Sequence, residues 1–284
     1  MNKILNFQIF RFHLLPLSTD FQKLELFEEE KKYSPDEIRK KKNEILYEVL
    51  NELDFYKSKK YPIKIEHNEE GFYFIKLAQK KSAKIFQDFK DIEIENEPFV
   101  YIFINNNKNV QKIAISENLE AFSSPSVVRN ILRDILISGL KKYGLNIEIE
   151  ETFEANNFWK IVNKHKYDLQ QIDFKFIKPN LASISSALPE DFKDFANNVN
   201  SHESHIILKA PKNGILEHID KKNKEINGLV EYSANGAGDI KMKIKGFSKK
   251  ISTDENPVTV KIQEASISGP GEQIIKVYQQ LISE

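Results

Sequence analysis

Apolar and polar residues alternate without interruption from Ile240 to Lys245. Ile240, Met242 and Ile244 fall on one side of an extended chain, and Lys241, Lys243 and Lys245 on the other. A period of two is that of a half-buried strand, so the pattern predicts a core face backed by a row of ammonium groups. Upstream, Ser233-Ala234-Asn235-Gly236-Ala237-Gly238 supplies residues that tolerate positive φ, and Leu229-Val230-Glu231-Tyr232 precedes them. Residues 229 to 245 are therefore expected to form a hairpin whose second strand carries the charge.

Elsewhere the period switches between two and 3.6. Residues 3 to 15 form an apolar run with Arg11 and His13 inside it, closed by Pro16, and predict a strand interior to a sheet. Ser34-Pro35-Asp36-Glu37 reads as a capping box, and Ile38, Ile45, Leu46, Val49, Leu50 and Leu53 give a helix running to about Asp54. Its first turns hold Arg39, Lys40, Lys41 and Lys42, cations that would oppose the helix dipole. Two hairpins follow, 61–67 with 71–78 and 99–104 with 110–115; residues 79 to 98 receive no assignment. A strongly apolar helix is predicted after Ser124-Pro125 up to Gly144, then a strand over 146–153 and a short helix around Phe158 and the single Trp159. A strand is expected over 167–177, with Ile172, Phe174 and Phe176 on one side. After a bend at 180–188, Pro189 opens a helix with Phe192, Phe195, Ala196 and Val199 inward. A strand over 205–209, a helix over 214–227, a strand over 258–262 and a last helix over 271–282 complete the order. These elements predict an α+β protein of mainly antiparallel sheets packed with several helices. The expected organisation is an amino-terminal α+β region, 1–180, and a carboxy-terminal one, 181–284, that carries the basic hairpin.

Composition narrows the function classes. Apolar residues make up 40% and charged residues 30%, with 20 Phe and 10 Tyr, which describes a chain able to bury a core. Lys plus Arg and Asp plus Glu both number 42, so no global field draws in a polyanion, and any attraction must come from local segregation of charge. The absence of Cys removes disulfides, thiolate zinc sites and Cys nucleophiles. The first residues lack a signal-peptide pattern and no 18-residue apolar run occurs, so a cytoplasmic protein is expected.

Lysines two apart on a strand stand roughly 6 to 7 Å from one another, close to the spacing of phosphates along a nucleic-acid backbone. The candidate duplex-binding set is Lys241, Lys243, Lys245, Lys249 and Lys250, joined by Lys221, Lys222 and Lys224 on the preceding helix. Only Tyr232 and Phe247 lie near them, which favours backbone contact over base stacking. An alternative is a Mg²⁺-dependent nuclease: Asp239-Ile240-Lys241 has the acid-x-Lys half of such a site, with Glu231 on the neighbouring strand as a second carboxylate. Asp173-Phe174-Lys175 repeats that half-motif as a chance occurrence. A third alternative is a protein-interaction module whose lysines guard a sheet edge. His202-Glu203-Ser204-His205 lacks the four-residue spacing of a helical zinc pair, and Gly236-Ala237-Gly238 lacks the third glycine of a dinucleotide loop, so no metal or cofactor is expected.

The strand Phe99-Val100-Tyr101-Ile102-Phe103-Ile104 before an Ile-rich helix, the run His205-Ile206-Ile207-Leu208-Lys209-Ala210-Pro211-Lys212 and the turn Ala237-Gly238-Asp239-Ile240 resemble the RexA-type phage-exclusion proteins of temperate phages. The resemblance begins near residue 99. It implies a cytoplasmic, homodimeric, DNA-binding protein of an abortive-infection system, without enzymatic activity and coupled to a small membrane partner.

Overall fold

The computed structural model describes residues 3–18, 33–53, 60–69, 71–87, 89–178, 190–267 and 271–282. In chain order the elements are β1 (Ile4–Pro16), α1 (Pro35–Lys40), α2 (Lys42–Asn51), β2 (Ile63–Glu69), β3 (Phe72–Ala78), β4 (Lys81–Gln87), β5 (Lys90–Asn96), β6 (Phe99–Asn105) and β7 (Lys112–Ser116). There follow α3 (Pro125–Leu140), β8 (Leu145–Glu151), α4 (Ala155–Lys164), β9 (Leu169–Ile177), α5 (Glu190–Asn198) and β10 (Glu203–Lys209). The last are α6 (Lys224–Tyr232), β11 (Gly238–Ile244), β12 (Ile251–Ser252), β13 (Thr259–Gln263) and α7 (Gly271–Ile282). The fold is α+β with antiparallel sheets, as the sequence pattern predicts. Among the described residues no helix is long and apolar enough to cross a membrane.

The chain forms two compact units. One comprises Met1–Gln8, Glu30–Leu145 and Thr259–Glu284, the other Ile9–Glu29 and Asn146–Val258. The bend expected at 180–188 lies outside the described residues.

In the first unit the strand order β13-β1-β7-β6-β3-β2 places the first half of β1, Ile4–Gln8, inside the sheet, as expected. Phe74 and Phe103, both buried, stack at 4.6 Å across the β3–β6 pair. The single helix expected after Ser34 is broken at Lys41 into α1 and α2. Ser34 does close a capping box with Glu37. The break has an electrostatic benefit: Arg39 and Lys40 now occupy the last turn of α1, where the dipole favours cations. Strands β4 and β5, within the stretch 79–98 that receives no assignment from the pattern, pair as an antiparallel ribbon, in which every residue of β5 is exposed.

The second unit holds the sheet β10-β9-β11-β12, with β8 and the distal half of β1 beside it. Its core gathers Phe158, Trp159, Phe174, Phe176, Tyr232 and Met242. Three expectations fail here. Residues 229 to 232 are not a strand but the end of α6, so there is no 229–245 hairpin. Asn223 caps α6 by accepting from the Ile226 amide, and Ile226, Leu229, Val230 and Ser233 fall on its buried face at helical spacing. Gly228 does not stop the helix, since an interior Gly costs only about 1 kcal/mol. The helix expected over 214–227 is irregular chain up to Asn223. Asn213 and His218 take positive φ, and the Asp220 carboxylate accepts from the amides of Lys222 and Asn223 in a local turn that competes with a helix. On α5 only Ala196 is buried and Phe192 leans on Phe176, while Phe195 and Val199, expected inward, are exposed.

Candidate nucleic-acid interface

β11 is built as its alternation predicts: Ile240, Met242 and Ile244 are fully buried, Lys241 is exposed and Lys243 half-buried. What starts the strand is a tightly held turn. The chain leaves α6 through a wide helical turn over Ser233–Ala237, in which Gly236 has φ 79°. Buried Arg11 of β1 donates from Nε to the Asn235 carbonyl at 2.6 Å, and His13 Nε2 lies 2.7 Å from the Gly236 carbonyl. Burial lowers the Arg11 pKa from its usual value. At Gly238, with φ 153°, a Cβ would stand 1.9 Å from the Lys175 carbonyl oxygen, so only glycine lets β11 approach β9 this closely. Register follows from that contact: Asp239 opposes Lys175, Lys241 opposes Asp173 and Lys243 opposes Gln171.

Opposed residues of antiparallel strands share a face, so the outer face of this sheet has two halves. In the first half every cation is matched. Lys175 lies 2.9 Å from Glu150 and 3.3 Å from Glu203. His205 Nδ1 meets Asp173 at 2.9 Å while its Nε2 meets Glu203 at 3.0 Å. Lys250 is 3.5 Å from Asp173, and Lys241 is 3.5 Å from Asp239. Asp239 is itself buried and accepts from Ser252 Oγ at 2.9 Å and Thr253 Oγ1 at 3.0 Å. The titration shifts agree with mutual neutralisation. The hydrogen bonds to Asp173 and then Glu203 raise the His205 pKa. Burial pushes the Asp173 and Glu203 pKa values up, but hydrogen bonds from His205, with the charges of Lys250 and Lys175, leave both below the usual carboxylate range. Burial likewise pulls Lys175 down, and Glu150 with Glu203 more than offsets it.

The second half lies where β11 ends. Lys209 of β10 opposes Gln171, and Gln171 opposes Lys243, so two lysines flank a neutral residue across three strands. Lys243 Nζ donates to the Phe247 carbonyl at 2.8 Å, and the Lys245 amide donates to the Asp168 carbonyl at 2.8 Å, fixing the turn after the strand. Among the described residues no carboxylate lies within ion-pair distance of Lys209, Lys243, Lys245 or Lys249, all but Lys243 being exposed. Lys209 escaped the sequence reading because only strand order brings it beside Lys243.

The other expected residues divide. Lys241 and Lys250 share the face but are matched by acids. Lys221, Lys222 and Lys224 are exposed on the loop and first turn of α6, a separate element, and Lys221 Nζ donates to Asn156 Oδ1 at 2.9 Å. Tyr232, expected near the lysines, is fully buried and its hydroxyl donates to the Ile177 carbonyl at 2.6 Å. Burial raises its pKa. The nuclease triad does not assemble as expected: Glu231 sits exposed on α6 rather than on a strand beside Asp239. Among the described residues no three His, Asp or Glu side chains are grouped to hold a metal ion. Asp173 and Lys175, set aside as a chance pair, occupy the middle of the matched half.

No protein-family model matches this sequence, and no curated protein sequence matches it.

Proposed function

We propose that the chain is a non-enzymatic, sequence-tolerant DNA-binding protein that holds duplex phosphates at the carboxyl-terminal end of β11. The observation that carries this reading is the segregation of charge between the β10-β9-β11 face and the turn that follows β11. Among the described residues Lys209, Lys243, Lys245 and Lys249 have no acidic partner within ion-pair distance, while the cations of the adjoining half have them. Phosphate contact is sequence-independent and suits a patch of lysines without base-reading side chains in a groove-entering element. The resemblance to RexA-type proteins extends the proposal to a cytoplasmic homodimer of an abortive-infection system with a small membrane partner.

The test is a salt titration of binding to a duplex of arbitrary sequence. Three neutralised phosphates give a log–log slope of about −2.7, so affinity drops about fortyfold between about 50 and about 200 mM salt. Substituting Lys243, Lys245 and Lys249 together by Ala should flatten the slope to near zero. Equal affinity of the unsubstituted protein at both salt levels would refute the proposal.

A further inference from the structure

Beside the lysine end lies a cleft of about 370 Å³. We propose that this cleft takes one unpaired nucleobase, so that the preferred ligand is DNA with a single-stranded stretch next to duplex; the proposal rests on the phosphate-binding reading above. The floor is apolar, with Val162 and Leu169 buried and Leu216 and Ile219 partly so, and the rim carries Asn163 and Lys166. A flat, weakly hydrated ring with a polar edge matches such a floor and rim. Glu217 and Asp220 also line the cleft. Their charge opposes a phosphate inside it and favours a base whose edge bears an amino group, as adenine and cytosine do.

Two exposed aromatic rings stand at this place, one of them unforeseen from the sequence. Tyr167 forms part of the cleft wall and is 77% exposed, with Lys166 Nζ 5.9 Å from its ring centre. Phe247 is 45% exposed and meets His165 of the same loop edge-on at 5.3 Å. An aromatic ring this open to water supplies a stacking surface for a base. Rings and lysines are one mechanical piece. The Lys245 amide is tied to Asp168, the neighbour of Tyr167, and Lys243 Nζ is tied to the carbonyl of Phe247. A strand whose phosphates lie along Lys243, Lys245 and Lys249 thus runs beside Phe247, and a base released from pairing can turn into the cleft against Tyr167.

The experiment compares the full chain's affinity for a blunt duplex and for the same duplex carrying a short deoxyadenosine tail. The tail should tighten binding about tenfold. Tyr167→Ala combined with Phe247→Ala should erase that preference while leaving blunt-duplex affinity and its salt slope unchanged. Tyr167→Phe with Phe247→Tyr should retain it. Both rings are exposed, so neither pair of changes removes core. A tail without effect, or a preference that survives the double alanine variant, overturns the cleft assignment. If blunt duplex still binds with the expected salt slope in that case, the phosphate reading stands. If neither DNA is bound in a salt-dependent way, both readings fail together.

Discussion

Lys241 and Lys243 are two residues apart on one strand and point the same way, yet they belong to different electrostatic environments. Across from Lys241 stands Asp173, with Asp239 beside it; across from Lys243 stands Gln171, with Lys209 beyond. A run of like charge in a sequence therefore says little about the field it makes. The field is set by register, which decides which neighbour each ammonium group meets. The matched half of the face is a chain of acids and bases, and the unmatched half is the part that the proposed phosphate contact uses.

The largest expected effect breaks both halves at once. Gly238→Ala forces a Cβ into the Lys175 carbonyl and should cost about 3 kcal/mol or more, read as a shift of the urea midpoint, since the backbone of β11 or β9 must move. A loss under about 1 kcal/mol would mean that the close approach does not fix the register. A smaller change separates the halves. Lys175→Met removes the ammonium group shared by Glu150, whose side chain is only 8% exposed, and Glu203, and should cost about 2 kcal/mol. Lys245→Ala should stay within about 0.5 kcal/mol of the parent in stability. Equal costs at the two sites would erase the distinction between the halves.

The smallest effect concerns pH. The folded-state pKa of His205 is raised above its ordinary value of 6.5, so its contribution is complete below that value and disappears as pH rises through the raised one. Asp173 and Glu203 are shifted down, so their contributions persist above the unfolded carboxylate values and fade only on acidification. Between about pH 6 and about pH 8 the sheet should therefore lose a few tenths of a kcal/mol that His205→Gln does not lose, the half-exposed ring being screened by water. Melting temperatures of the two proteins over that range would show the difference as converging curves.

Local pattern made much of the fold legible. The alternation of Ile240, Met242 and Ile244 gave β11 and its two faces, the Ser124-capped apolar stripe gave α3, and the stripe of Ile274, Ile275, Tyr278, Leu281 and Ile282 gave α7. Errors arose where two local signals competed. The Asn-Gly-Ala-Gly run suggests a hairpin turn, whereas the Asn223 cap and the 226, 229, 230, 233 stripe are the stronger signals and make a helix. The alternation Asp91-Ile92-Glu93-Ile94-Glu95 marks β5 just as plainly. The site was less legible than the fold for a physical reason. Glu150, Asp173, Glu203 and Lys209 reach the lysine row only through strand order and register, and Tyr167 reaches it through one backbone hydrogen bond at Asp168. None of these relations has a counterpart in sequence spacing.

The most direct measurement sets two variants side by side in the salt titration of duplex binding. One replaces Lys243, Lys245 and Lys249 by Ala, the other Lys241 and Lys250, whose charges Asp239 and Asp173 already match. The account predicts that the first variant loses a slope of about 2.7 and the second leaves the slope unchanged. Equal losses in both variants, or a loss confined to the second, would contradict it.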